Sequence, residues 1–170
     1  MAVEQASYKV IIKEGNFEVR FYDPLVVAVS TENDIKGYSG FNILFNYISG
    51  QNKESKKISM TAPVLNNLDG EQLTTAFVMP KQYSMEVLPQ PENPELQFKE
   101  IPKRHVASIT FSGNISQELV NKKKQELMKW LQEKDITTIG SAELARYNPP
   151  FIPGFIKRNE VLIEVNYPAE

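Results

Sequence analysis

The chain is organised around one stretch near its carboxyl end, Arg146-Tyr147-Asn148-Pro149-Pro150-Phe151-Ile152-Pro153-Gly154-Phe155-Ile156-Lys157-Arg158-Asn159-Glu160-Val161. Residues 149–154 contain three prolines and one glycine, so neither a helix nor a central strand can continue through them. The stretch also carries apolar side chains that a solvated loop would not normally display: Phe151, Ile152, Phe155 and Ile156. We therefore predict a stiff apolar loop, which either covers the end of a core or forms one side of a ligand cleft.

Length and composition limit the class of protein. With 170 residues, 41% of them hydrophobic, the chain is long enough to form a single domain over residues 1–170 with its own core. Its net charge of -2 gives no reason to expect binding to nucleic acid or to an anionic membrane. The absence of cysteine excludes disulfides, thiolate zinc sites and iron–sulfur clusters.

The beginning of the chain bears on the compartment. Residues 1–7 have neither a basic region nor an apolar core, so no secretory signal is expected. No run approaches the roughly 20 apolar residues that cross a bilayer, so no membrane span is expected either. We predict a soluble cytoplasmic protein.

Two segments have helical periodicity. The first runs from about Ile35 to Ser49, with Asn33 or Asp34 as its cap. Aromatic and aliphatic side chains recur on one of its faces: Tyr38, Phe41, Leu44, Phe45 and Ile48. Such a face is either core or the wall of a site for a flat aromatic ligand. The second helix is predicted over residues 115–134, with Asn114 and Gln117 as a capping box.

The remaining elements are predicted strands with alternating or β-branched sequences. In the sequence they cover Tyr8–Glu14, Phe17–Tyr22, Leu25–Thr31, Lys57–Val64, Leu73–Met79, Glu95–Ile101, Arg104–Ser112, Ala142–Tyr147 and Val161–Val165. A strand–helix–strand–strand order occurs over about residues 25–80 and again over about 104–165. Two such β-α-β-β units predict an α+β fold in which the sheets pair into one antiparallel β-barrel with two helices packed outside.

Groups that carry out catalysis or bind metals are scarce. His105 is the only histidine, and it is either a structural side chain or a ligand or base. Nucleotide-binding and zinc-protease motifs are absent, and no pair of carboxylates has a spacing that defines an acid and a base. Glu160 is the best single carboxylate: it either pairs with Arg158 or meets a cationic ligand in a pocket. We expect no catalytic residues, no metal site and no enzymatic activity.

Several features together predict a cleft for a flat apolar ligand with carboxylate tails. They are the aromatic helix face, the strand that carries Met60, the proline-rich loop and the Lys157-Arg158 pair. Rings would stack on the aromatic side chains, and the two cations would meet the carboxylates.

The sequence resembles the SOUL/heme-binding protein family over residues 8–165. The resemblance rests on these segments: Glu18-Val-Arg-Phe-Tyr22, Asn46-Tyr-Ile-Ser-Gly50, Ile58-Ser-Met-Thr-Ala-Pro-Val64, Phe77-Val-Met-Pro80, Tyr147-Asn-Pro-Pro-Phe151 and Arg158-Asn-Glu-Val161. It implies a distorted barrel and a groove beside the first helix that binds heme or another tetrapyrrole. The residues that it places in the groove are Tyr38, Phe41, Leu44 and Phe45 from the helix, with Phe151 and Ile152 from the facing loop.

The sequence departs from the family at three positions. Phe21 stands where the SOUL branch has a proposed histidine ligand to iron, which excludes that ligation. Tyr38 and Asn46 stand where the vertebrate heme-binding branch has basic residues thought to meet the propionates. Propionate binding would then depend on Lys36, Lys157 or Arg158, and the candidate iron donors are Tyr38, Tyr147, Met60 and His105.

Three hypotheses follow. The first is reversible binding of heme or another tetrapyrrole in an apolar groove, for transport or buffering. In the second, the barrel resembles effector-binding domains of bacterial drug-sensing regulators, and Glu160 or Glu164 serves hydrophobic cations or hydrolysis. The third is a protein partner, whose helix or loop would occupy the groove.

Overall fold

The protein is described by a computed structural model, which covers residues 3–35, 38–69, 72–149 and 151–168. Within them the fold is α+β, with eleven strands and two helices. The strands are β1 Glu4–Gln5, β2 Tyr8–Glu14, β3 Phe17–Tyr22, β4 Leu25–Thr31, β5 Thr61–Ala62, β6 Val64–Asn67, β7 Thr74–Val78, β8 Gln97–Ile101, β9 Arg104–Phe111, β10 Thr137–Arg146 and β11 Asn159–Asn166. The helices are α1 Tyr38–Ile48 and α2 Gln117–Glu133.

Nine strands form one antiparallel sheet in the order β2-β3-β9-β11-β10-β6-β7-β4-β8. The two short strands, β1 and β5, pair separately and in parallel. The large sheet has two edges, β2 and β8, and no pairing between them occurs in the part of the chain that the structure describes. The predicted large antiparallel sheet with two helices is therefore confirmed, whereas closure into a barrel stays a prediction.

One face of the sheet curls onto itself. Tyr22 of β3 and Val27 of β4 belong to the same buried apolar cluster, although β3 and β4 lie six places apart in the sheet. A flat sheet would separate these strands by about 29 Å, given a spacing of about 4.8 Å. The strong twist of the sheet therefore brings this face, which we call the inner face, together as an interior.

The outer face carries both helices. Helix α1 contacts β4 and β7, and it buries Leu44 and Tyr47 in a cluster with Phe77. Helix α2 contacts β9, β10 and β11 and forms a separate cluster, in which Trp130 stacks on Phe17 with ring centroids 5.1 Å apart. The residues that α2 buries in this cluster are Val120, Leu127, Trp130 and Leu131.

The caps of both helices differ from the prediction. The backbone N–H groups of Ser39 and Gly40 in α1 bind the Glu32 carboxylate at the end of β4, a role that was assigned to Asn33 or Asp34. In α2 the hydroxyl of Ser116 accepts from the Leu119 N–H, so the predicted capping box of Asn114 and Gln117 is wrong. Helix α2 begins at Gln117 instead of Ile115, because its cap is Ser116 and not Asn114.

Two predicted strands have different bounds. The segment predicted as one strand over residues 57–64 is two strands, since Pro63 has no N–H and separates β5 from β6. The segment predicted to start at Ala142 begins at Thr137, and a register irregularity lies between Thr138 and Ala142. The strand–helix–strand–strand order is present in both halves, and a repeat relation between them stays a prediction.

Candidate ligand-binding site

Helix α1 displays an aromatic edge, which we define as Tyr38, Phe41 and Phe45. The Phe41 and Phe45 rings stack with centroids 5.8 Å apart and planes 11° apart, and Phe41 also meets Phe77 edge-on at 5.1 Å. Phe45 remains 47% exposed and Tyr38 is exposed as well. Leu44, which was predicted to line the groove, is fully buried and belongs to the core.

The proline loop, of which residues 148, 149 and 151–157 are described, is anchored at Asn148 and Gly154 and displays apolar side chains. The Gly113 N–H donates to the Gly154 carbonyl at 2.8 Å, and the Arg158 N–H donates to the Asn148 side chain at 2.6 Å. Phe151 is nevertheless 83% exposed, and its neighbour Ile152 is half-buried. The exposed ring of Phe151 does not cover a core, which favours the ligand-cleft reading of this loop.

The start of the proline loop lies near the aromatic edge. Phe77, which supports Phe41, pairs across the sheet with Val64, and Val64 pairs with Arg146, the last residue of β10. Directly paired residues share a face of the sheet, and two strand spacings amount to about 10 Å. The Arg146 guanidinium also donates to the carbonyl of Ile35, just before α1. Sequence reasoning missed Arg146, which joins the two regions.

Glu32 fixes the start of α1 and was also missed. Its carboxylate is buried and accepts hydrogen bonds from Ser39, from the Gly40 N–H at 2.9 Å and from Thr75 Oγ1 at 2.6 Å. Burial by itself would raise the pKa of Glu32, but the hydrogen bonds from Ser39, Thr75 and the backbone outweigh it and lower the pKa. An ionised Glu32 therefore holds the helix in place beneath the aromatic edge.

A cavity of about 430 Å³ lies along the opposite edge of α1. Ile43, Asn46 and Tyr47 of the helix form one wall, and residues 91–96 contribute the other. The Tyr47 hydroxyl donates to the Pro89 carbonyl at 2.6 Å and ties the two walls together. Asn46, which stands where the vertebrate heme-binding branch has a basic residue, therefore faces this cavity.

The inner face contains a buried ion pair. Arg20 donates to both oxygens of Glu160 at 2.7 Å, and both side chains are almost completely buried. Arg158 and Thr110 also donate to Glu160, each at 3.0 Å. Pairing of Glu160 with Arg158 was one of the two readings of this carboxylate, and the structure places the two in contact. Nothing in the sequence indicated that Arg20 is buried, and it is buried because both faces of β3 are covered.

These contacts determine whether the Glu160 carboxyl group is ionised. Burial would raise the pKa of its carboxyl group, but the hydrogen bonds and charge of Arg20 and Arg158 lower it. The carboxylate is therefore ionised and saturated with donors, so a cationic ligand would have to displace Arg20. Glu164, the other acidic candidate, is half-buried with a carboxylate oxygen 3.6 Å from Arg104.

The predicted propionate partners have separate environments. Arg158 packs over the Tyr147 ring at 3.8 Å and donates to the Tyr8 hydroxyl at 3.0 Å, so it points to the inner face, away from the aromatic edge. The Lys157 ammonium lies 3.4 Å from the Asn114 side chain, beside the proline loop. Lys36 lies outside the described residues.

The candidate iron donors are also dispersed. His105 packs against Phe21 at 4.7 Å on β9, four strands or about 19 Å across the sheet from β7. Tyr147 lies beneath Arg158 on the inner face, which leaves Met60 and Tyr38 near α1. Within the described ranges, no group of three or more metal-ligating side chains could hold a metal ion.

Comparison with known proteins identifies the family. The family model described as SOUL heme-binding protein matches residues 3–164, nearly the whole chain. The chain belongs to the SOUL family. A search of curated proteins gives no match. Among the helices that the structure describes, none has the length and apolarity needed to span a bilayer.

Solved structures share the fold of this SOUL-family chain. The C-terminal domain of EcmrR has a TM-score of 0.66 at 11% identity, over 94% of this chain and 98% of that one. A hydrolase from Listeria innocua has a TM-score of 0.62 at 10% identity, over 91% and 94%. SAV2435 bound to tetraphenylphosphonium has a TM-score of 0.50 at 11% identity, over 88% and 93%. At these identities the similarity shows the fold alone.

Proposed function

We propose that this SOUL-family protein binds heme or another tetrapyrrole reversibly at the aromatic edge of α1, as transport or buffering requires. The proposal depends mainly on the Phe41–Phe45 stack, whose outer ring is half exposed beside an exposed proline loop. A flat conjugated ring gains both apolar burial and offset stacking on such a surface. The family membership supports the ligand class.

The residues beside α1 fit the apolar face of a tetrapyrrole better than its metal. Phe41 and Phe45 offer ring surface, and Phe151 offers more across the start of the proline loop. For heme, which would bring a redox-active iron, the nearby donor atoms are the Met60 thioether and the Tyr38 hydroxyl. We therefore propose binding that depends on stacking, with Lys157 as the nearest described cation for a propionate and no catalytic step.

Closure of the sheet and its origin in two similar units are part of the same proposal. We infer that the curled sheet is a distorted barrel of two β-α-β-β units and that the tetrapyrrole lies on its outer face. The inner face would then take no part in tetrapyrrole binding, since its residues alternate away from α1.

Titration with hemin tests the proposal. We expect saturable binding with a shifted Soret band, and a roughly 70-fold weaker affinity for Phe45→Ala. Half of a phenylalanine surface is about 100 Å², which at about 25 cal/mol per Å² corresponds to about 2.5 kcal/mol of burial. Ile139→Ala is the matched control, because Ile139 is 59% exposed on β10 and lies outside the aromatic edge.

Two results would contradict the proposal. One is hemin affinity no greater than for an unrelated protein; the other is equal loss in Phe45→Ala and Ile139→Ala. Tetraphenylphosphonium serves as a second probe for the alternative hypothesis of a cation site at Glu160. Stabilisation by this cation but not by hemin, abolished in Glu160→Gln, would favour that alternative.

A further inference from the structure

A second cavity, of about 300 Å³, opens on the inner face of the sheet. It lies between the β2–β3 hairpin and strands β9 and β11, and charged side chains dominate its wall, among them Lys13, Arg20, Arg158 and Glu160. Arg20 and Glu160 alternate away from the helices, so this cavity is separated from the aromatic edge by the sheet itself. An inference about it does not depend on tetrapyrrole binding.

The charged groups on the floor of the cavity are already paired with one another. Arg20 donates to Glu160 through two nitrogens and to Glu18 at 2.7 Å, so its charge is shared between two carboxylates. Glu160 accepts in addition from Arg158 and Thr110. Because the bonds to these carboxylates are buried and short, the floor is a fixed surface that offers little to a cationic ligand.

The wall has an excess of positive charge. Three basic side chains line the cavity against two acidic ones, namely Lys13, Arg20 and Arg158 against Glu18 and Glu160. Both carboxylates are engaged by Arg20, which leaves the charges of the other two cations only partly compensated. An anion entering this cavity would therefore meet a favourable potential.

Arg158 presents a donor to the cavity. Its Nε and Nη2 atoms bond Glu160, and Nη2 also bonds the Tyr8 hydroxyl. None of the hydrogen bonds within the described residues uses Nη1. The side chain is 34% exposed and stacked on Tyr147, so its outer edge is both accessible and oriented. An oriented guanidinium with a spare N–H is a good partner for a carboxylate.

Two further groups lie at the mouth of the cavity. The exposed ammonium of Lys13 is 3.5 Å from a Glu18 oxygen, at a distance that allows it to turn toward a ligand. Asn16 lines the cavity from the hairpin turn, and its carbonyl accepts from the Thr110 N–H at 3.0 Å, which fixes the turn against β9. The Asn16 side chain can donate or accept a hydrogen bond.

We propose that this cavity binds a small carboxylic acid. The carboxylate would lie between Arg158 Nη1 and the Lys13 ammonium, with the remaining polar atoms toward Asn16. The volume equals about ten water molecules at about 30 Å³ each, which limits the ligand to roughly ten non-hydrogen atoms.

Titration with succinate at constant ionic strength tests this site, with the backbone amides and the arginine Nε–H groups observed by NMR. We expect saturable shifts at Arg158 and Thr110. Affinity should fall about tenfold in Arg158→Lys, which loses the oriented fork, and about threefold in Lys13→Ala. Lys9→Ala is the matched control: Lys9 is exposed on the same strand but pairs with Phe21, toward the outer face.

The results of this titration either support or overturn the carboxylate site. Loss of affinity in Lys13→Ala with no loss in Lys9→Ala supports the site, even if Arg158→Lys proves too unstable to use. Absence of saturable shifts at Arg158, or equal loss in both lysine variants, overturns it. Shifts at Glu160 on adding tetraphenylphosphonium, with none on adding succinate, would overturn it in favour of a cation site.

Discussion

Replacing Glu160 with glutamine should destabilise the protein strongly, because it removes one of the two carboxylates that compensate the buried charge of Arg20. Arg20 is 1% exposed, and two of its three bonds at 2.7 Å reach the two Glu160 oxygens. Glutamine keeps one acceptor oxygen but carries no charge, and Glu18 alone then faces the guanidinium. Breaking a buried pair from one side costs about 3–5 kcal/mol, a large part of the stability of a domain this size.

Urea denaturation followed by circular dichroism measures this loss. With a slope of about 2 kcal/mol per molar urea, the midpoint should fall by roughly 2 M. The double variant Arg20→Met with Glu160→Leu should be less destabilised than the two single changes combined, because it removes both charges. Lys123→Met, which breaks the partly exposed pair with Glu126 along one side of α2, should cost less, about 1 kcal/mol.

Either of two results would show that Arg20 and Glu160 do not form a stabilising buried ion pair. A cost below about 1 kcal/mol for Glu160→Gln would mean that Arg20 is not held as a buried charge. If the double variant lost as much unfolding free energy as the two single variants together, the two side chains would not interact energetically.

Three further predictions concern the scaffold. Gly40→Ala should cost about 1–3 kcal/mol of stability, measured by thermal denaturation, because the added Cβ would lie 2.8 Å from a Glu32 oxygen. Gly140→Ala is the control and should be nearly neutral, because its Cβ would come no closer than 3.6 Å to another atom. Ser116→Ala should cost about 1 kcal/mol, measured the same way, because the first turn of α2 loses its cap; an unchanged midpoint would contradict this role. Acid should lower the melting temperature, because the pKa values of Glu32 and Glu160 in the folded protein lie below the unfolded value of about 4.3. The two carboxylates therefore contribute their full stabilisation above about pH 4.3 and lose it as the pH falls through their folded pKa values. A scan from pH 6 to pH 2 should show a weaker dependence in Glu160→Gln, and identical curves would contradict the assignment.

The elements of this fold could be predicted because their patterns are local. The alternation of Phe17, Val19 and Phe21 marks a strand, and the periodic apolar residues of α2 mark a helix, without any knowledge of distant neighbours. The family motifs then indicated how the elements are arranged. The aromatic edge of α1 was also accessible, since Phe41 and Phe45 are one turn apart.

The buried charges could not be predicted from the sequence, because they depend on pairing across long separations. Arg20 looks like the solvated side of an amphipathic strand, and only the pairing of β3 and β11 with the two sides of β9 brings Glu160, 140 residues later, onto its guanidinium. Glu32 looks like a polar residue in a turn, yet Thr75 from β7 completes its environment. The same limit applies to Leu44, which the helical pattern could not separate from the exposed residues beside it.

The two edges of the large sheet determine how readily this protein could aggregate. Strand β8 is five residues long, displays Lys99 and Glu100 to solvent, and lies between Pro94 and Pro102. At the other edge, β2 has a register irregularity between Val10 and Ile12. Short, charged or bulged edges are poor templates for an added strand, so two copies should not join edge to edge into a growing fibril.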